Sequence, residues 1–191
     1  MGKVLFIDYE RCIGCRSCLA ACRECGGHEG RERNYVVQLA PGITTQTAPM
    51  LCLHCENPAC ARSCPAEAIK VTPEGVVLAA AREKCLGCKN CTLACPYGIP
   101  RFDESQNLMM KCDLCYERTS AGSPPMCASV CPAETLSWVD EEVARERVAR
   151  RSGGRVPRDF NFKAKVITTA GLGGWGAADF SWEGVLQDAS D

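Results

Sequence analysis

Sixteen of the 17 cysteines in this 191-residue chain fall into four groups of four. The first is Cys12, Cys15, Cys18 and Cys22; the second is Cys52, Cys55, Cys60 and Cys64. The third is Cys85, Cys88, Cys91 and Cys95; the fourth is Cys112, Cys115, Cys127 and Cys131. Nothing else constrains the fold as strongly, because each sulfur must find a metal or another sulfur. The first and third groups share the spacing C-x2-C-x2-C-x3-C, the second widens its middle gap to x4, and the fourth widens it to x11. Three groups end in Cys-Pro (64–65, 95–96 and 131–132), whereas the first ends in Cys22-Arg23. Proline at that point fixes its own φ and disfavours helix at the residue before it, so it sets the exit direction of the chain.

The repeated run is the bacterial ferredoxin signature for [4Fe–4S] clusters. Three thiolates at three-residue intervals wrap a loop around three corners of an iron–sulfide cube. The fourth turns away and, in two-cluster ferredoxins, ligates the neighbouring cluster. Zinc is the competing metal. Its sites prefer isolated C-x2-C pairs separated by a longer gap, and a triplet leaves a surplus ligand for a tetrahedral ion. Disulfides fit poorly. The start Met1-Gly2-Lys3-Val4-Leu5-Phe6-Ile7-Asp8 holds an apolar run too short for a secretory signal, and Arg150-Arg151 lies too far along to be a twin-arginine signal. A reduced compartment, most simply the cytoplasm, is expected.

Composition narrows the class further. The apolar fraction of 46% counts cysteine, and without it only about 37% remains, so ordinary core formers are scarce. Metal binding must then supply much of the folding free energy, and the apoprotein is expected to be largely unfolded. No apolar stretch approaches membrane-spanning length. A net charge of −1 lacks the basic field of a nucleic-acid binder. Four clusters at about −2 each would take the loaded chain to about −9. Arg11, Arg16, Lys84, Lys89 and Lys111 flank the cysteines, where they would raise cluster potentials unless they are ordinary solvated charges.

The chain also repeats itself. A shift of 73 carries all four cysteines of the first group onto the third, and Arg11-Cys12-Ile13-Gly14-Cys15-Arg16 onto Lys84-Cys85-Leu86-Gly87-Cys88-Lys89. The second group maps onto the fourth with shifts of 60 and then 67, the difference being an insertion in 118–125; both copies end Cys-Pro-Ala-Glu. This predicts a first ferredoxin-like repeat over 1–72 and a second over 73–139. Short strands are expected at Lys3–Ile7, Ala68–Val71, Val76–Leu78 and Thr135–Val139, with a turn over 72–75. Short helices are expected at Ser17–Cys22 and Asn90–Cys95, and loop elsewhere. In 140–191, Asp140 can cap a helix over Glu141–Arg151, which Gly153-Gly154 would end. Residues 155–191 lack cysteine and carry Phe160, Phe162, Trp175, Phe180 and Trp182, which suits a docking tail or a strap over the chain's own surface.

The order and spacing of the four groups resemble the four-cluster ferredoxin-like subunits of molybdenum and tungsten pterin oxidoreductases. The length and Gly/Trp-rich tail look most like the small subunit of soluble tungsten aldehyde oxidoreductases. The resemblance implies an α+β fold of two ferredoxin-like units about a pseudo-twofold axis. It implies electron transfer through four [4Fe–4S] clusters without catalysis by the chain itself. The implied partners are a large catalytic subunit oxidising an aldehyde, formate or carbon monoxide, and a flavin/NAD subunit, ferredoxin or other electron acceptor. An accessory or maturation ferredoxin is the alternative.

The resemblance also implies the ligand sets. Cys12, Cys15, Cys18 and Cys131 would hold one cluster, and Cys112, Cys115, Cys127 and Cys22 its neighbour. Cys52, Cys55, Cys60 and Cys95 would hold a third, and Cys85, Cys88, Cys91 and Cys64 the fourth. The missing proline after Cys22 leaves Cys25 as a possible substitute, otherwise a free thiol or a group beside the cluster. His54, inside Cys52-Leu53-His54-Cys55, would lie against cluster sulfur rather than bind iron. His28, in a glycine-rich loop, is expected at the surface. No catalytic constellation or phosphate loop is visible.

Overall fold

The run Val4-Leu5-Phe6-Ile7 is apolar on both sides of a strand, so it must be covered on both faces. In the computed structural model, which describes residues 2–39, 41–152 and 165–169, it forms strand β1 (Lys3–Ile7) at the centre of a three-stranded sheet. Strand β8 (Leu136–Asp140) pairs with it antiparallel, and β9 (Val166–Thr168) parallel. Val4 and Phe6 pack under helix α6 (Glu141–Arg151) with Ala144, Val148 and Ile167. Leu5 and Ile7 point the other way, into the main core with Leu51, Val76, Leu114 and Leu136.

Three two-stranded ladders complete the sheet structure. They are β2 (Tyr35–Gln38) with β3 (Thr47–Met50), β4 (Ile69–Val71) with β5 (Val77–Ala80), and β6 (Arg101–Asp103) with β7 (Leu108–Met110). The turn expected over 72–75 is present: Gly75, at φ +86°, donates to Thr72 O, and Thr72 N pairs with Val76 O. Short helices lie beside the cysteines: α1 (Ser17–Arg23), α2 (Ala59–Arg62), α3 (Asn90–Ala94), α4 (Tyr116–Ser120) and α5 (Met126–Ser129). The result is a small α+β fold. Its buried side chains include Cys18, Cys52, Cys112 and Cys127 in the main core, and Cys60 and Cys91 in a third cluster with Ile69, Val77 and Met109.

Several expectations need adjusting. The loops expected between the cysteine groups contain the β2–β3 and β6–β7 ladders. Their residues alternate too weakly to announce strands; β3 holds a proline, and β6 and β7 are three residues each. Asp140 precedes α6 as expected, but its side chain makes no capping hydrogen bond, because it is also the last residue of β8. Gly153-Gly154 and most of the aromatic tail lie outside the described residues. The described part of that tail, 165–169, is not a free docking arm. It adds a strand to β1, with Leu5 N donating to Lys165 O and Thr169 N to Ile7 O.

Ile167 is 1% exposed and packs with Phe6 and Val148. Replacing it by Ala should cost about 2–5 kcal/mol of stability, as for a buried aliphatic truncation. Thermal unfolding of the loaded chain checks this. A change within about 0.5 kcal/mol, the size of a surface substitution, would mean that β9 is not an integral strand.

Candidate iron–sulfur sites

A cysteine loop can surround an inorganic body only if the backbone reverses its usual handedness. Gly14 (φ +69°) and Gly87 (φ +68°) do so inside the first and third groups. Non-glycine residues do so at Arg16, His54, Glu67, Lys89, Leu114, Cys115 and Glu134. Each such residue costs on the order of 1–3 kcal/mol and persists only where its surroundings impose it. The geometry aims amide N–H groups at sulfur. His54 N reaches Cys52 Sγ (3.4 Å), and Leu114 N reaches Cys112 Sγ (3.4 Å). Ala68 N reaches Cys64 Sγ (3.3 Å), Leu136 N reaches Cys131 Sγ (3.5 Å) and Arg33 N reaches Cys22 Sγ (3.2 Å). The Thr47 hydroxyl reaches Cys12 Sγ at 3.2 Å.

Cysteines distant in sequence meet. Cys64 lines one hollow with Cys85, Cys88 and Cys91. Cys95 lines another with Cys52, Cys55 and Cys60. Burial pushes the Cys18 thiol up to about 12, helped by Cys12, Cys131 and Cys15 around it. Burial likewise raises Cys127, with Cys22 and Cys18 beside it as the next causes. Burial lifts Cys91 to about 11, with Cys64, Cys85 and Cys88 nearby. Without a metal these thiols are neutral and buried. They become ligands only when a cation compensates the thiolate charge. No disulfide joins any of the seventeen cysteines.

The spacing tests which metal body fits. Tetrahedral zinc at about 2.3 Å from each sulfur would draw its thiolates to about 3.8 Å of one another. Among the described residues, three ligand atoms mutually within 4.8 Å occur only at Cys25, His28 and Cys115. The four groups therefore open wider than a single zinc ion requires, and an iron–sulfide cube suits them.

Two charged networks border these cysteines. Sequence reasoning placed His28 at the surface; it is 2% exposed. Its Nδ1 lies 2.7 Å from Cys22 O and 3.3 Å from Cys22 Sγ, and its Nε2 lies 3.1 Å from Asp113 Oδ1. Burial opposes the charge on His28, but hydrogen bonds with Asp113 and Cys22 outweigh it and lift the imidazole to about 10. Burial also works against the Asp113 carboxylate, yet His28 and Arg33 hold it down at about 2. Arg33 Nη1 donates to Asp113 Oδ2 at 2.6 Å. The glycines around His28 masked this role, but Asp113 could have been suspected from its place between Cys112 and Cys115. Cys25 is buried and sits with His28 against Cys115.

The second network surrounds His54, which is 1% exposed. Its Nδ1 accepts from Val77 N (3.0 Å), so Nε2 carries the proton, and that atom has no protein partner. Burial, then the nearby Lys111 charge, holds His54 well below its ordinary value and hence neutral. Lys111 is itself 1% exposed; its Nζ donates to Val77 O and Cys112 O and lies 3.6 Å from Cys52 Sγ. Of the other flanking cations, Arg11 pairs with Glu134 and Lys89 with Glu104 at the surface.

A Cβ on Gly87 would meet the side-chain amide of Asn107, which is exposed and can swing aside, and one on Gly30, also left-handed, meets nothing within 4 Å. Gly87→Ala and Gly30→Ala should therefore each lower thermal stability by backbone strain of about 1 kcal/mol. A much larger loss at Gly87 would mean that Asn107 is held in place.

Comparison with known proteins agrees with this geometry. A 4Fe-4S dicluster domain model matches residues 43–141, and a 4Fe-4S binding domain model matches 3–24. One chain of the anaerobic dimethyl sulfoxide reductase of Escherichia coli (strain K12) is 35% identical over 153 residues, covering 71% of this chain and 73% of that protein. The formate dehydrogenase iron-sulfur subunit of Wolinella succinogenes is 32% identical over 180 residues, covering 78% and 88%. One subunit of the sulfite dehydrogenase of Allochromatium vinosum is 32% identical over 162 residues, covering 71% and 68%. Four [4Fe–4S] clusters are the cofactors that these matches and the cysteine groups support. This protein belongs to the 4Fe-4S dicluster family of iron–sulfur electron-transfer subunits.

Proposed function

We propose that this chain relays electrons between a catalytic molybdenum- or tungsten-pterin subunit and a second redox carrier, a flavin/NAD subunit or a ferredoxin. The observation that carries the reading is the meeting of thiols across motifs. Cys131 lies with the first group, Cys95 with the second and Cys64 with the third. This supports four ligand sets: Cys12, Cys15, Cys18 and Cys131; Cys22, Cys112, Cys115 and Cys127; Cys52, Cys55, Cys60 and Cys95; and Cys64, Cys85, Cys88 and Cys91. Cys22 is preferred to Cys25 because it accepts the Arg33 amide, as other ligand sulfurs accept amides. The Cys25 sulfur stands closer to Cys115 than thiolates held at two corners of a cube would.

Bound clusters would supply one-electron sites; the chain supplies their hydrogen bonds and surrounding charge. A cluster sulfur is the acceptor that the His54 Nε2–H lacks. Cys15 and Cys88 are the two exposed cysteines, and they belong to different proposed sets. Exposed Ile13 and Leu86 stand beside them, which suits electron entry at one set and exit at the other.

The proposed duplication of 1–72 and 73–139 has support in the backbone. Left-handed residues recur at equivalent places: Gly14 with Gly87, Arg16 with Lys89, His54 with Leu114, and Glu67 with Glu134. Residues 140–191 add α6 and β9 to this core. No helix among the described residues is long and apolar enough to cross a membrane. Cysteines committed to metal rather than to disulfides suit the reducing cytoplasm.

Anaerobic pull-down of the tagged protein tests the relay. About sixteen iron per chain and a stoichiometric large subunit containing molybdenum or tungsten are expected. Full iron without such a partner would contradict the relay and favour a free carrier. Iron removal by a chelator should abolish near-ultraviolet circular dichroism, because the cores contain the ligand thiols themselves. A native-like spectrum in the apoprotein would show that the protein core folds without its clusters.

A further inference from the structure

We propose that Lys111 is a fixed positive charge that raises the reduction potential of the cluster held by Cys52, Cys55, Cys60 and Cys95. The proposal rests on the ligand sets given above. Lys111 is 1% exposed, and among the described residues no carboxylate forms an ion pair with it. Its three N–H groups have three partners: Val77 O, Cys112 O at 2.9 Å and Cys52 Sγ at 3.6 Å. Two of these are neutral carbonyls, which satisfy the donors but not the charge. A buried ammonium without a counter-ion is costly. The only partner able to become an anion is Cys52, and it does so as an iron ligand.

The interaction works in both directions. The cluster's negative charge stabilises the ammonium, and the ammonium stabilises the extra negative charge that arrives on reduction. In the interior this attraction is screened far less than that of a surface cation. Lys89, by contrast, is exposed and already paired with Glu104. The effect should also be selective. Lys111 Nζ approaches the sulfur of Cys52 but, at Cys112, only the main-chain carbonyl. Inside the Cys52 group lies His54, which shares a partner with Lys111. The Val77 peptide links the two residues, its N–H donating to His54 Nδ1 and its carbonyl accepting from Lys111. Because Lys111 touches both Cys52 and Cys112, it stands between the two clusters at the middle of the relay. An electron crossing from one half of the chain to the other would pass this charge.

The test is a redox titration of the anaerobically purified full chain, followed by electron paramagnetic resonance, with iron counted per chain. Lys111→Met should keep about sixteen iron. One midpoint should fall by at least 59 mV, a tenfold weaker hold on one electron, and the other three should move less. Lys111→Gln, which keeps donors but loses the charge, should show the same fall, and Lys111→Arg should reverse it. Lys84→Met, which removes an exposed cation beside Cys85, should move no midpoint that far. Unchanged midpoints in both neutral variants with full iron would overturn the proposal. If both neutral variants lose iron and Lys111→Arg keeps it, the need for the charge is upheld. If all three lose iron, Lys111 is a packing element and the proposal fails. A wild-type chain with fewer than four clusters would overturn the ligand sets themselves, a failure visible before any variant is made.

Discussion

The attraction between buried thiolates and iron is the interaction on which the rest of this structure depends. The chain places cysteine where other proteins place leucine: Cys18, Cys52, Cys112 and Cys127 belong to its main core. Without metal, burial first and neighbouring groups second hold the Cys18, Cys112 and Cys127 thiols above their ordinary range. The same loops hold non-glycine residues in left-handed conformations at His54, Leu114 and Cys115. Cluster binding offsets both costs, since it ionises the thiols, fills the loops and gives the inward-facing amides an anionic acceptor.

The strand pairing shows why the motifs must interleave. Strand β1 lies at the start of the proposed first repeat and pairs with β8, at the end of the proposed second. Strand β4 lies at the end of the proposed first repeat and pairs with β5, at the start of the proposed second. These pairings carry Cys131 back to the first group and bring Cys64 and Cys95 across to each other's groups. Each proposed cluster is therefore fixed by chain segments far apart in sequence. The interleaving also places Lys111, from the start of the fourth group, against Cys52 of the second.

Much of this was legible in the sequence, because cysteine spacing and β1's continuous apolar run are strong local signals. The 73-residue shift pairs Gly14 with Gly87, and the two share a left-handed conformation. What escaped was set by tertiary contact. His28 looked like a surface loop residue, yet Asp113, 85 positions away, draws it inside. Lys111 looked no different from Lys84 or Lys89, since nothing local reveals that Val77 and Cys112 carbonyls enclose it. Strand β9 escaped because it is only three residues long and owes its conformation to pairing with β1.

The most direct measurement of the central claim is a diffraction map at the iron absorption edge, from crystals of the anaerobically purified protein. The account predicts four compact iron peaks. Each should lie among one quartet drawn from two motifs, with Cys131, Cys22, Cys95 and Cys64 as the crossing ligands. Cys25 should lie outside all four. A cluster whose four ligands come from a single motif, or iron bound to Cys25 in place of Cys22, would contradict it.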